Sequence, residues 1–439
     1  MKRIFLGPVE IAGYYAALQP GLEALGYHVT RVDLNRDSRG YHIGRQPLFA
    51  RLARAASQRA MTARERGRPS AAHWFRLQGL LLLALSLRVL LACDVIVYAF
   101  GGTISWRPGL ELRLARLLRR RVIAVFHGSD VRPAYLDGQI MASDRGVTIA
   151  DCARRAAAQK ATVMRFEAAA DAIVVSPTFA HFHERPFVNW HAVGIPSAMP
   201  ISPDAAPLAA ADRPVRILHG PSHPESKGTA LIRAAVEGVR ARGRRIEYVE
   251  VIGQPHTAVL AELARCDLVV DSAYCDVPMS GFATEAAAVG RPAVVGGPSG
   301  EAFDETIAPE DMPPVLYCRP EEIEDAIDRL VADAAFRVRL GAEAHQFARR
   351  NRDPLEVARR FARVVEGDAP PEWMYDPNRL RHVGGFGSPA LLRQTVRALV
   401  SAHGPGALQL DDKPELRRLV LEFGFGDEPA GTIAPGPGT

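Results

Sequence analysis

The sequence predicts an α/β protein of two doubly wound, parallel-sheet domains facing across a cleft, and three observations lead there. Short, continuously apolar segments alternate with helix-period segments through both halves of the chain, the pattern of parallel strands covered on both faces. A Pro- and Ala-rich stretch without period, PSAMPISPDAAPLAAADRP at 196–214, separates the halves. The length of 439 residues exceeds what one hydrophobic core accommodates. The expected units are a first domain over 1–195, a linker over 196–214, a second domain over 215–366, and a helical, Pro/Gly-rich tail over 367–439.

The first half opens on a short strand, Lys2 to Leu6, ending at Gly7. A helix over Tyr14 to Leu25 is closed by Gly26, and a strand over Tyr27 to Leu34 completes a βαβ unit. Residues 79–93, GLLLLALSLRVLLAC, are interrupted by Arg88 and ended by Asp94 before the roughly 20 residues a bilayer span needs. They read as a buried helix feeding the strand DVIVYAF (94–100). The arginine-rich helix Leu110 to Arg120 leads into RVIAVFHG (121–128), and an alanine-rich helix precedes DAIVVS (171–176). In the second half the strands are VRILHG (215–220), YVEVIG (248–253), DLVVDS (267–272) and AVVGG (293–297). Helix 229–241 carries Leu231, Ile232, Ala235, Val236 and Val239 on one stripe, the face that covers a sheet. Helices fill 321–366, and the last ten residues read as disordered.

Charge is modest: 54 basic against 49 acidic residues, a net of +5. That balance does not require nucleic acid, and aromatics are not interleaved with the basic residues as on a single-strand platform. Arginines 45, 51, 54, 59, 64, 66, 68 and 76, opposed by Glu65 alone, form the strongest charge run. It reads first as a solvated connection, with anionic lipid or a phosphorylated acceptor as the alternative. Five scattered cysteines and an N-terminus without a charged leader and apolar core lead to the expectation of a cytoplasmic chain, peripheral to the membrane at most.

Chemistry in a doubly wound protein sits in the loops after strands, against helix N-termini, and four such loops stand out. GPVEIAG (7–13) is not a G-x-G-x-x-G fingerprint, but Gly13 at a helix start permits close approach of a ligand. HGSD (127–130) puts His127 at a strand end, facing the cleft, where it can bond a phosphate or sugar hydroxyl or neutralise developing charge. GPSHPESKGT (220–229) sets Lys227 just before a helix, where an ammonium supports a pyrophosphate; it is not a Walker loop. In SGFATEAAAVGRPAVV (280–295), Ser280 and Gly281 form an open turn, and Glu285 can accept two ribose hydroxyl bonds. Gly290 and Pro292 end that helix.

The last two segments together resemble the retaining glycosyltransferases of the GT-B fold, the large family-four group. The shared features are a strand, small-residue loop, Lys-Gly and helix in ILHGPSHPESKGTALIRAA, followed some 60 residues later by the glycine turn, glutamate and Ala-x-Ala-x-Gly-x-Pro of GFATEAAAVGRPAVV. HGSD and Ala12-Gly13 match the family's strand-end histidine segment and glycine loop. The resemblance implies a nucleotide-diphosphate-sugar donor, UDP- or GDP-linked first, with no other cofactor and no metal. The acceptor would be a small molecule, glycan or lipid-linked group. By it Lys227 with Gly228 contacts the diphosphate, Glu285 the ribose, Gly281 and Phe282 the phosphates, with Ser280 and Thr284 beside them; His127 lines the sugar and acceptor site, and Gly13 leaves room at the domain interface. It also implies a tail packing back on the first domain.

Two positions depart from the family pattern. Its arginine six residues before the lysine is Pro221 here, with Ser222 or His223 as candidate substitutes. Its first glutamate, eight positions before the second, is Val277, with Asp276 adjacent. The alternatives are a protein that keeps the fold without the chemistry, or a sugar-nucleotide epimerase on the same fold. Gln254 to Thr257 follow a strand and are placed to border the base. No carboxylate pair suits two-carboxylate glycoside hydrolysis.

Overall fold

The computed structural model of the chain describes residues 1–35, 46–141, 146–197, 199–201, 213–298 and 300–426. Most of the expected linker, the terminal ten residues and Arg45 lie outside the described residues.

Two sheets organise the chain. The front sheet has the order β12-β6-β5-β4-β3-β1-β2, from β1 (Arg3–Gly7), β2 (His28–Arg31), β3 (Val95–Ala99), β4 (Arg121–Val125), β5 (Ala172–Val175), β6 (Phe187–Asn189) and β12 (Met374–Tyr375). All its pairings are parallel except β12 on β6. The rear sheet is parallel throughout, in the order β11-β10-β9-β7-β8. It is built from β7 (Val215–His219), β8 (Ile246–Glu250), β9 (Leu268–Ser272), β10 (Ala293–Gly296) and β11 (Leu316–Cys318). Its second strand starts and ends earlier than the apolar run 248–253 suggests. The two doubly wound parallel-sheet domains expected from the sequence are present.

Central strands are buried on both faces: Ile4, Phe5 and Leu6 of β1 and Val95 to Ala99 of β3 are at most 1% exposed, each large apolar side chain contributing about 1.5–3 kcal/mol of transfer free energy. The covering helices of the front lobe are α1 (Tyr14–Ala24), α2 (Leu48–Glu65), α3 (Ala71–Ala92), α4 (Pro108–Leu117) and α5 (Ile149–Glu167). On the rear lobe they are α6 (Thr229–Ala241), α7 (His256–Leu263), α8 (Gly281–Ala288), α9 (Ile323–Ala332) and α10 (Ala334–Asn351). In α6 the stripe Ile232, Ala235, Val236 and Val239 is buried.

Three features depart from the sequence-based expectations. The arginine-rich run, read as a solvated connection, forms the helix α2, whose alanine side is buried, and leads into α3. The apolar run 79–93 is not a buried core helix: Leu80, Leu83, Leu87 and Leu91 of α3 are exposed. The second domain also gives way before residue 366. Helix α11 (Pro354–Glu366) packs on α1 of the front lobe, where Gly21 admits it; a Cβ there would stand 2.5 Å from the Pro354 carbonyl oxygen. From there β12 extends the front sheet and α12 (Pro389–His403) packs on α5.

Candidate functional site

In the rear sheet β7 lies between β8 and β9, so the chain leaves β7 and β9 in opposite directions and opens a crevice beyond their carboxyl ends. The loop after β7 brings Lys227 there, at the end of a one-turn helix, Pro224–Lys227. Its Nζ donates to Asp271 Oδ1 of β9 at 2.9 Å. Burial works to lower the Lys227 pKa, but the Asp271 carboxylate outweighs it and the net shift is upward, so the side chain is an ammonium at neutral pH. One of its three donors is spent on Asp271.

The second half of the crevice is the start of α8. Ser280 stands at the N-cap, yet makes no capping bond; its hydroxyl donates to the other oxygen of Asp271. The first turn of α8 contains no acidic residue. A Cβ on Gly281 would meet nothing within 4 Å, so this helix start faces open space with its dipole uncompensated by a side chain. Asp271 therefore ties Lys227 to the mouth of α8. Glu285, one turn further on, is buried and pairs with His256 Nε2 of α7 at 2.7 Å. That bond, acting against burial, raises the His256 pKa.

The glycines and neighbours of these loops have steric reasons. Gly228 has φ +72°, and a Cβ there would lie 2.6 Å from Ala273 Cβ and 2.7 Å from the Tyr274 ring. Phe282 closes over Gly220, where a Cβ would be 3.3 Å from its ring. Thr284 is buried, and its hydroxyl has no hydrogen-bond partner among the described residues. Ser222 is exposed; His223 is half-buried, and its carbonyl accepts from Lys227 N at 3.0 Å. Lys227, Gly228, Ser280, Gly281, Phe282, Thr284 and Glu285 thus share one end of the rear sheet.

Gly13 and His127 belong to the front lobe. Gly13 has φ +81° and starts α1, but that helix start is already filled. The Glu10 carboxylate accepts from Tyr15 N at 3.0 Å and Ala16 N at 2.9 Å and pairs with Arg31 at 3.0 Å. Tyr14 N and Ala17 N bond Ile11 O and Gly13 O. Gly13 therefore serves the turn, with no amide of the first turn left for a phosphate. His127 is packed against the rings of Tyr14, Tyr15 and Trp190, with Nε2 2.8 Å from the Tyr15 hydroxyl. Burial pushes its pKa down to about 3, so it is a neutral hydrogen-bonding group, and it cannot neutralise developing charge as a resident cation.

No protein-family model matches the sequence, and no curated protein matches it. Solved structures similar to the chain include Anabaena Alr3699/HepE in complex with UDP-glucose, at 11% identity and TM-score 0.46 over 84% of this chain and 100% of that one. OtsA in its apo structure is 12% identical, with TM-score 0.49 over 83% and 99%. The lipopolysaccharide outer core galactosyltransferase WaaB, apo form, is 11% identical, with TM-score 0.45 over 84% and 99%. Values this low transfer neither a site residue nor an activity.

Three residues at or beside the site escaped the sequence reading. Asp271 is the next-to-last residue of the apolar parallel strand β9, and a carboxylate in that place is the available signal. His256 lies within the stretch expected to border the base, but its partner is Glu285. Arg132, four residues beyond the HG of HGSD, is buried and reaches across the domains. Its guanidinium bonds Asp276 of the rear lobe at 2.6 and 2.9 Å and Asp137 of the front lobe at 3.0 Å, between the rings of Phe179 and Phe386. Burial opposes its charge, but the two carboxylates win and its pKa rises. The acid beside Val277 is thereby committed to an interdomain ion pair, a partnership that no local motif announces.

Proposed function

We propose that this chain is a glycosyltransferase that moves a sugar from a nucleotide-diphosphate-sugar to an acceptor hydroxyl, with retention and without a metal. The observation that carries the reading is the Lys227–Asp271–Ser280 linkage, which sets an ammonium beside an uncapped helix start at the strand-order reversal of the rear sheet. Diphosphate oxygens suit the remaining donors of Lys227 and the first amides of α8. Glu285, oriented by His256, suits the ribose hydroxyls. As the bond from the anomeric carbon to the diphosphate breaks, negative charge grows on the departing oxygen, where Lys227 and the helix dipole stabilise it. The acceptor oxygen bonds the anomeric carbon, and its proton passes to a diphosphate oxygen. Retention rests on the sequence resemblance.

The arms of the test are thermal shifts with UDP, GDP, ADP and dTDP and their sugars, followed by turnover of the selected donor. Lys227→Ala and Glu285→Ala are each expected to lower turnover by about 10- to 1,000-fold with the fold intact; near-normal rates in both variants would overturn the assignment. The Arg132–Asp276 pair favours a second reading, a nucleotide-binding partner protein, because it occupies the carboxylate nearest the departed glutamate position. Tight diphosphate binding with no donor consumption supports that reading, whereas acceptor-independent conversion of the donor points to an epimerase.

A further inference from the structure

We infer that the outer face formed by α2, α3 and α4 is a docking surface for an anionic phospholipid bilayer, on which α3 lies in the plane of the membrane. The inference is independent of the reaction assigned to the rear lobe.

Helix α3 is apolar around most of its circumference, yet it is not enclosed: it is long and apolar enough to cross a membrane, and only 22% of its most apolar window is buried. Its inward side, Leu85, Ser86, Val89 and Leu90, meets the core. Its outward side carries Leu80, Leu83, Leu87 and Leu91 at spacings of three and four residues, one continuous helical stripe. Leu80 and Leu91 are 65% and 63% exposed. Alongside, Trp106 packs on Gly79 and is 64% exposed, and Leu110 and Leu117 of α4 are exposed too. A continuous apolar stripe with a tryptophan beside it, left in water, is the kind of patch that marks a contact surface, and tryptophan is enriched where proteins meet the membrane–water boundary. The attachment of α3 through Cys93 to β3 holds its inner face on the protein, so only the outer stripe is available to lipid.

The charge around the stripe specifies the lipid. Residues 46–120 contain thirteen arginines, no lysine, and three acids, Glu65, Asp94 and Glu111. Glu111 is buried against Tyr98 and the backbone of Ile104 and Ser105, and Asp94 is shared with Arg3 and Arg120. Among the described residues Arg51, Arg59, Arg64, Arg76, Arg88 and Arg113 have no ion pair. On the rear lobe the exposed Arg233, Arg242 and Arg244 and the half-buried Arg240 all pair with acids. Arg59 lies over Trp74 and Arg107 over Trp106, with guanidinium-to-ring distances of 4.9 and 4.4 Å. Arginines without acids around a leucine stripe match phosphate headgroups above acyl chains. A second copy of the chain fits poorly, since a twofold contact through this face sets arginine against arginine. A nucleic acid leaves the leucines unused.

The test is cosedimentation of the full chain with vesicles of phosphatidylcholine alone and with about 30% phosphatidylglycerol. Binding to the anionic vesicles, weakened by added salt and weak on phosphatidylcholine, is expected. The triple variant Leu80→Ser, Leu87→Ser, Leu91→Ser changes exposed positions only; with its melting temperature kept, it should lose binding. Arg59→Ser with Arg76→Ser should lower partitioning by about fivefold per arginine. Failure to bind anionic vesicles at low salt overturns the inference, as does equal binding by the triple variant. A dimer that the triple variant abolishes, with no vesicle binding by the parent, assigns the face to a second copy and overturns it as well.

Discussion

Two helix starts in this molecule look alike in the sequence and are opposite in the fold. Both α1 and α8 follow a glycine turn at the strand-order reversal of a parallel sheet, between β1 and β3 in front and between β7 and β9 behind. In front, Glu10 folds its own carboxylate onto the first-turn amides and takes Arg31 as its counter-ion. Behind, the cap residue Ser280 is drawn away to Asp271, and no acid replaces it. A glycine at a helix start therefore marks an anion site only where the chain supplies no anion itself. One lobe has closed its crevice with a side chain, and the other presents a cation and an uncapped dipole.

The largest expected effect tests how differently the lobes are built. Burial depresses the pKa of His181 and His191 from 6.5 to about 3. Both are neutral in the folded front lobe and protonated in the unfolded chain below 6.5, so stability falls as pH drops from 6.5 towards 3, by on the order of a few kcal/mol per histidine. All four tryptophans (74, 106, 190 and 373) lie in the front lobe or the tail on it. Among the described residues the rear lobe holds one such histidine, His219, pushed down to about 4; tryptophan fluorescence should therefore change at a higher pH than the final loss of far-ultraviolet circular dichroism, which sums the helices of both lobes. A single coincident transition would erase the contrast.

Next in size, Glu10→Ala uncaps α1 and removes the carboxylate that Arg31 pairs with, though Arg31 keeps its bond to Gln19; the expected cost is about 2–3 kcal/mol in chemical denaturation, with nucleotide affinity at the parent value. A loss of nucleotide affinity in that variant would return the front loop to the binding site. Ser280→Ala is milder, about 1 kcal/mol in stability, with nucleotide affinity changed less than about tenfold because Lys227 keeps Asp271. The smallest effect concerns His256. Its pKa is raised by Glu285 above 6.5, so the pair's contribution is complete below 6.5 and is lost as pH rises through the raised value. His256→Gln should flatten the change in melting temperature between about pH 6 and about pH 9; an unchanged profile would show that the pair does not titrate there.

Much of this was legible in the residues themselves. Continuous apolar runs such as RVIAV and DLVVDS identify parallel strands because both faces must be buried, and the loop residues Lys227, Ser280, Gly281 and Glu285 fall at strand ends by chain order alone. The shortest strands are not legible: β6, β11 and β12 have two or three residues each, too few for a period to register. The exposure of helix α3 is not legible for another reason: an apolar run says nothing of which neighbours will cover it.

Local chemistry, then, determined where cations, glycines and carboxylates could stand relative to strands and helices, since those preferences act within a few residues. Partnership was decided by the fold. Glu10 reaches Arg31, Lys227 reaches Asp271, and Arg132 crosses to Asp276 over 144 positions of chain. An ion pair depends on distance in space, and only the packed chain sets that distance.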